Sequence, residues 1–144
     1  MQDWVPRLGF GLVLDTREKY FNPHYGQYYE LSFSQFGGLF GGPANYQELL
    51  GDIRFYIPAW GTDTFVISAL GRYRPGQKGA YDYLHAGGAN TLRTYGLRPD
   101  LYAHHEVLTT LEYRWEFFER STFDVLGSHF YYGLQWVVGT DTAM

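Results

Sequence analysis

Apolar and polar positions alternate along most of this chain. From Leu8 to Leu14 the even positions are Leu8, Phe10, Leu12 and Leu14, and between them stand Gly9, Gly11 and Val13. A period of two marks a strand with one greasy face. Asp15-Thr16-Arg17 closes this strand, and Asn22-Pro23-His24-Tyr25-Gly26 reads as a turn, because Pro fixes φ and Gly permits the reversal. In a second strand Tyr29, Leu31 and Phe33 alternate with Glu30, Ser32 and Ser34, until Gly37-Gly38 and Gly41-Gly42-Pro43 break the pattern. A third sets Leu49, Gly51, Ile53, Phe55 and Ile57 against Glu48, Asp52, Arg54 and Tyr56. Beyond the turn at Pro58 to Gly61, a fourth sets Phe65, Ile67, Ala69 and Tyr73 against Ser68, Arg72 and Arg74. After a long connection, Val107, Leu111, Tyr113, Trp115 and Phe117 alternate with Thr110, Glu112, Arg114 and Glu116. The region Thr122 to Gly139 is expected to hold two shorter strands separated near Ser128-His129, the second with Phe130, Tyr132, Leu134, Trp136 and Val138 on its apolar face. No stretch keeps a helical period. The expected fold is all-β, with six or seven antiparallel strands.

Alternation alone suits both a soluble sheet and a membrane barrel. The two faces differ further in chemistry. One carries Asp15, Arg17, Glu30, Asp52, Arg54, Arg72, Arg74, Glu112, Arg114 and Glu116, with both signs mixed. The other is thick with rings, many near strand ends: Tyr28, Tyr29, Trp60, Tyr73, Trp115, Phe117 and Trp136. An apolar band between aromatic girdles, with a polar lumen behind it, is what a transmembrane barrel presents. A soluble sheet, packed on another layer by its apolar face, is the alternative. A lipocalin-like barrel fits less well, since these rings would crowd one small cavity.

Composition trims the function classes. At 144 residues the chain suffices for one domain. Aromatic residues make up 20% and charged residues 18%, a composition of strand formers rather than of a disordered segment. The mean hydropathy of -0.31 argues against a helical membrane protein, and says nothing against strands that alternate. A net charge of -4 makes nucleic acid an unsuitable partner. With no cysteine, disulfides and thiolate metal sites are excluded. His104-His105 lacks ligand-like spacing with any other histidine, so neither metal nor cofactor is expected. Acidic pairs such as Asp15 with Glu30 arise freely in a mixed-charge lumen, and no Ser-His-Asp set or phosphate loop is present. An enzyme is not expected.

The long connection, about 77–103, is the remaining feature, and a loop of that length in a compact domain is more often functional than idle. Within it lie Gly87-Gly88 and then Leu92-Arg93-Thr94-Tyr95. With Gly9-Phe10-Gly11-Leu12-Val13-Leu14-Asp15-Thr16-Arg17, followed by Pro23 and Gly26, and with Glu112-Tyr113-Arg114 on the strand expected after the loop and Phe123-Asp124 on the strand expected next, these stretches stand in an ordered set. The set resembles the transmembrane barrel of the bacterial surface antigen superfamily, that of the BamA- and TamA-type outer-membrane assembly subunits. The match covers most of residues 1–144, read as part of a single barrel domain. It implies a bacterial outer-membrane β-barrel that aids insertion or transport of polypeptides, with the lipid bilayer and client outer-membrane or secreted polypeptides as partners. Periplasmic or lipoprotein partners would act through domains this sequence lacks.

The resemblance further identifies Gly87, Gly88, Leu92, Arg93, Thr94 and Tyr95 as the signature of a loop that folds back into the lumen. Thr94 stands where that signature usually has Gly. By the same resemblance Arg93 is latched by Glu112 and Asp124, and Asp15, Thr16 and Arg17 form the family's strand motif. The physics agrees, since a guanidinium entering a lumen needs carboxylates, and its fork can take two. Family members have about sixteen strands, and the smallest single-chain outer-membrane barrels about eight. Six or seven cannot close, so the sequence reads as an internal piece of a longer barrel, with closure by partner chains as the alternative. Outside the resemblance, a soluble or peripheral β-sheet binding or structural domain, using the long loop as a contact surface, stays open.

Refolding into lipid vesicles is expected to shift the fluorescence of Trp60, Trp115 and Trp136 to the blue and to make it sensitive to lipid-borne quenchers. A folded monomer that stays soluble without detergent would contradict the membrane expectation.

Overall fold

The computed structural model describes residues 4–75, 84–85, 102–103, 105–125 and 128–143. The strands are β1 (Arg7–Asp15), β2 (Gly26–Gly37), β3 (Asn45–Pro58), β4 (Thr64–Tyr73), β5 (Leu84–His85), β6 (Tyr102–Ala103), β7 (His105–Val125) and β8 (Ser128–Ala143). Six of them form one antiparallel sheet in the order β1-β2-β3-β4-β7-β8, while β5 and β6 pair separately within the long connection. Each neighbour in the main sheet is also the next main-sheet strand in the chain, so this is a meander. Among the described residues β1 and β8 are its open edges.

Register fixes which side chains share a face. Phe10 stands opposite Phe33 and Phe33 opposite Leu49; Leu12 meets Leu31, and Leu31 meets Gly51. Ile53 pairs with Ala69, Ile67 with Leu111, Phe65 with Tyr113, and Tyr113 with Val138. These all lie on the outer face. On the other face Glu30 meets Asp52, Arg72 meets Glu106, and Val66 meets Glu112. The face assignments read from period two hold along β1, β2, β3, β4 and the first half of β7, except at Tyr28. Expected among the outward rings, Tyr28 stands on the polar face opposite Arg54, because successive residues of a strand point to opposite sides and Tyr29 is the outward one.

The distribution of burial inverts that of a soluble protein. Phe10 and Leu12 are 74% and 75% exposed, whereas Asp52 and Glu106 are each 5% exposed. Charged residues are almost never buried in a water-soluble domain unless paired, and large exposed apolar patches mark contact surfaces. Here the apolar face is continuous from β1 to β8, and no second layer covers it among the described residues. Along β3 the outward residues Leu49 to Ile57 span eight steps (57 − 49), roughly 26 Å at about 3.3 Å per step, close to the ~25 Å apolar band of a transmembrane barrel. Aromatic rings gather at one end of that band, where Trp115 stacks on Phe117 at 4.6 Å and meets Trp136 edge-on at 6.4 Å.

One expectation is corrected. Thr122 to Gly139 does not hold two shorter strands. Thr122 to Val125 is the end of β7, and a single strand, β8, occupies 128–143. The alternation fails at Phe117-Phe118 because the β7–β8 ladder is irregular between Glu116 and Phe118 and again between Phe118 and Ser121. A bulge adds a residue without ending the strand, so it mimics a break in a period-two pattern. Past Arg114, which pairs with Thr64, β7 has left β4 and continues in the main sheet only beside β8.

If the outer face meets hydrocarbon, Ile53→Arg should cost about 2–4 kcal/mol in lipid. Equilibrium unfolding in vesicles measures this, and a cost below about 0.5 kcal/mol would place Ile53 at a watery surface.

Candidate functional site

The polar face is the candidate site, and it is built from a repeated local unit. Asp15 and Arg17, Asp52 and Arg54, and Glu112 and Arg114 are each two residues apart. The last two pairs project from the same side of one strand, and Arg17, just past the end of β1, also donates its amide to Asp15 at 3.1 Å. Arg17 reaches back to Asp15 through Nε at 2.8 Å and Nη2 at 2.6 Å. Arg54 donates to both oxygens of Asp52, and Arg114 donates to Glu112 through Nε at 2.9 Å. Two-pronged arginine–carboxylate pairs are among the strongest hydrogen-bonded contacts a protein makes. β1, β3 and β7 run in the same direction, so in every unit the arginine lies nearer the same mouth, the one opposite the long connection.

Tyrosines knit the units together. The Arg17 guanidinium lies 4.7 Å from the Tyr28 ring centre, and Arg54 lies 5.4 Å from the same ring. Arg114 sits 5.7 Å from the ring of Tyr56, a buried residue whose hydroxyl both Arg17 and Arg54 also approach. Tyr28 donates its hydroxyl hydrogen to Glu30 at 2.6 Å. At the opposite mouth Arg7 lies over Phe36, Phe36 stacks on Tyr46 at 4.5 Å, and Arg74 lies over Tyr46 while donating to Glu48 at 2.7 Å. Cation–π contacts of this kind add about 0.5–2 kcal/mol each, more when desolvated. Arg72 and Glu106 are the loosest pair, 3.8 Å apart, with no hydrogen bond to either oxygen of Glu106.

Thr16, the middle of the first motif, ends the β1–β2 ladder. Its amide donates to the Gln27 carbonyl at 2.9 Å, and its hydroxyl accepts the Gln27 amide at 3.0 Å. The turn beyond is held by Gly26, with φ of 112°, where a Cβ would stand 2.5 Å from the Thr16 carbonyl oxygen. Only glycine fits there. The loop then bends over the polar face: Asn22 Oδ1 accepts from Arg114 Nη1 at 3.2 Å, and His24 Nε2 lies 3.0 Å from Glu116 Oε2. This crossing from the β1–β2 turn to β7 has no signal in the sequence beyond a turn motif, whereas the repeated acid–x–Arg unit is visible in the sequence itself.

Of the latch residues, Glu112 is buried on the polar face of β7, in contact with Arg114. Asp124 is exposed, opposite His129 beside the β7–β8 turn. Asp124 is expected from the sequence on the strand after that of Glu112, but β7 runs on through its bulges and holds both. They stand twelve residues apart on one strand (124 − 112), roughly 40 Å at about 3.3 Å per residue, so they do not converge on one guanidinium. Gly87, Gly88, Leu92, Arg93, Thr94 and Tyr95 lie outside the described residues.

Removing Arg114 takes from the buried Glu112 carboxylate a cation that pairs with it at 2.9 Å. Arg114→Ala should cost about 3–5 kcal/mol and Arg114→Lys less, because an ammonium cannot reproduce the fork. Lys19→Ala, at an exposed ion pair with Glu18, should cost under about 1 kcal/mol. Urea unfolding of the three variants in vesicles reads the ranking.

A single-layer antiparallel sheet, apolar on its exposed face and ionic on its buried one, is half of what a bilayer-spanning barrel requires. No curated protein and no solved structure matches the chain. A family model does: the Omp85 superfamily domain matches residues 2–141. Proteins of this family reside in the bacterial outer membrane as non-catalytic barrels that assemble and insert outer-membrane proteins. The chain belongs to the Omp85 superfamily, and the choice left open between a bilayer barrel and a soluble sheet falls to the barrel.

Proposed function

We propose that residues 1–144 are one sector of a single outer-membrane barrel domain, whose lumen is lined by the acid–x–Arg units and receives the 77–103 connection as a latched loop. The observation that carries this reading is the burial of Glu112, at 8% exposure, on the polar face of the strand that follows the loop. A buried carboxylate draws a cation, and Arg93 is the cation within the Gly87–Tyr95 signature. Glu112 and Asp124 act separately in this reading: Glu112 meets Arg93 in the lumen, and Asp124 serves the far end of β7. Asp15, Thr16 and Arg17 terminate β1 and hold the entry to the β1–β2 loop.

Backbone groups left unpaired in hydrocarbon cost several kcal/mol each, so the edges of β1 and β8 are covered by further strands in the membrane. The clients are outer-membrane or secreted polypeptides, which the barrel brings into or across the bilayer. Periplasmic or lipoprotein partners would engage through other domains.

Double-mutant cycles test the latch. Arg93 with Glu112 should couple by about 0.5–3 kcal/mol in lipid, and Arg93 with Asp124 should be additive within about 0.5 kcal/mol. Additivity at both pairs would place Arg93 in solvent and remove the latch.

A further inference from the structure

The β1–β2 loop makes its longest-range contacts with a strand that is not its neighbour. We propose that this loop is a proton-dependent strap, in which charged His24 bridges Glu18 of its own loop to Glu116 of β7 and so holds the loop across the lumen face. The strap lies at the mouth opposite the long connection, and the crossing passes over β3 and β4.

Both ring nitrogens of His24 face carboxylates: Nδ1 lies 3.6 Å from Glu18 Oε1, and Nε2 lies 3.0 Å from Glu116 Oε2. Ionised carboxylates only accept hydrogen bonds, and a neutral imidazole always turns one bare lone pair outward. Neutral His24 would therefore oppose a lone pair to one of these oxygens, whereas the imidazolium faces both with N–H groups. The Nε2 contact is not aligned as a hydrogen bond, and both Nε2 and Glu116 Oε2 are buried without another partner. What holds them is charge, which the ring has only when protonated.

The surrounding charges leave that role to His24. Arg114, beside it on β7, is committed to Glu112 and Asn22, and Lys19 faces Glu18 from the exposed side. Asp63, from the β3–β4 turn, accepts the Glu116 amide at 3.2 Å and the Tyr113 hydroxyl. The His24 amide donates to Glu18 at 2.9 Å and holds that carboxyl below its ordinary value. Glu18 thus stays ionised through the interval in which a histidine acquires its proton. The sign follows: the strap closes on mild acidification, loosens as the ring deprotonates, and loses Glu18 only in stronger acid, when that carboxyl is protonated.

The chain has no cysteine, so Tyr25→Cys accepts a single nitroxide at an exposed loop position in the protein refolded into vesicles. Between about pH 5 and about pH 8 the mobile fraction of the label should rise about five- to tenfold. His24→Lys should keep the label immobile at both pH values, and His24→Gln should leave it mobile at both. Glu116→Gln, on the other strand, should abolish the response without touching the loop. An unchanged spectrum across this interval, or a response that survives in His24→Gln or Glu116→Gln, would overturn the proposal.

Discussion

Hydrocarbon contains nothing that can hydrogen-bond a peptide group, and that constraint organises the rest of this molecule. Each strand in the bilayer must pair on both sides, which leaves the two faces as the only freedom. The outward face meets lipid and takes Phe10, Leu12, Leu31, Ile53, Ile67 and Leu111. Charges therefore go to the other face, and they need partners there, because Asp52, Glu48, Glu106 and Glu112 are all buried. Among the described residues no hydrophobic core between layers holds the sheet. Its stability rests on the ladder hydrogen bonds, the lipid around it and the ion pairs behind it.

Pairing acid and base two residues apart on one strand solves that problem locally. Asp15 with Arg17, Asp52 with Arg54 and Glu112 with Arg114 are paired within one segment of chain, while Glu48 and Glu106 take their cations, Arg74 and Arg72, from elsewhere in the chain. The stacking of Arg17 and Arg54 on Tyr28, and of Arg114 on Tyr56, then couples the strands laterally. The latch proposed for Arg93 and the strap centred on His24 would both use carboxylates of one strand, Glu112 and Glu116 of β7, at the mouth opposite the long connection.

The sequence disclosed the faces well because lipid on one side and charge on the other enforce a strict period of two. It disclosed the last third badly. Two irregularities near Phe118 shift the pattern without ending β7, and a period-two reading cannot distinguish a bulge from a turn. The signature around Arg93 was recognisable as a motif, but its partners were placed by analogy, and Glu112 and Asp124 lie far apart along one strand. His24 and Asn22 looked like turn residues because contacts at a separation of ninety-two positions, as between Asn22 and Arg114, leave no periodic trace. Membership of the Omp85 superfamily follows from residues 2–141 as a whole, and no single motif carries it.

Alternating solvent access along β3 is the most direct measure of the central claim, that one face of this sheet meets lipid and the other a polar lumen. Single nitroxides at successive positions from Leu49 to Ile57, in vesicles, can be challenged with oxygen, which partitions into hydrocarbon, and with a charged relaxation agent confined to water. Labels at Leu49, Ile53 and Ile57 should respond to oxygen, and those at Leu50, Arg54 and Tyr56 should not, giving a period of two across the whole strand. Equal access of the water-soluble agent to the outward positions, or no alternation at all, would contradict the account.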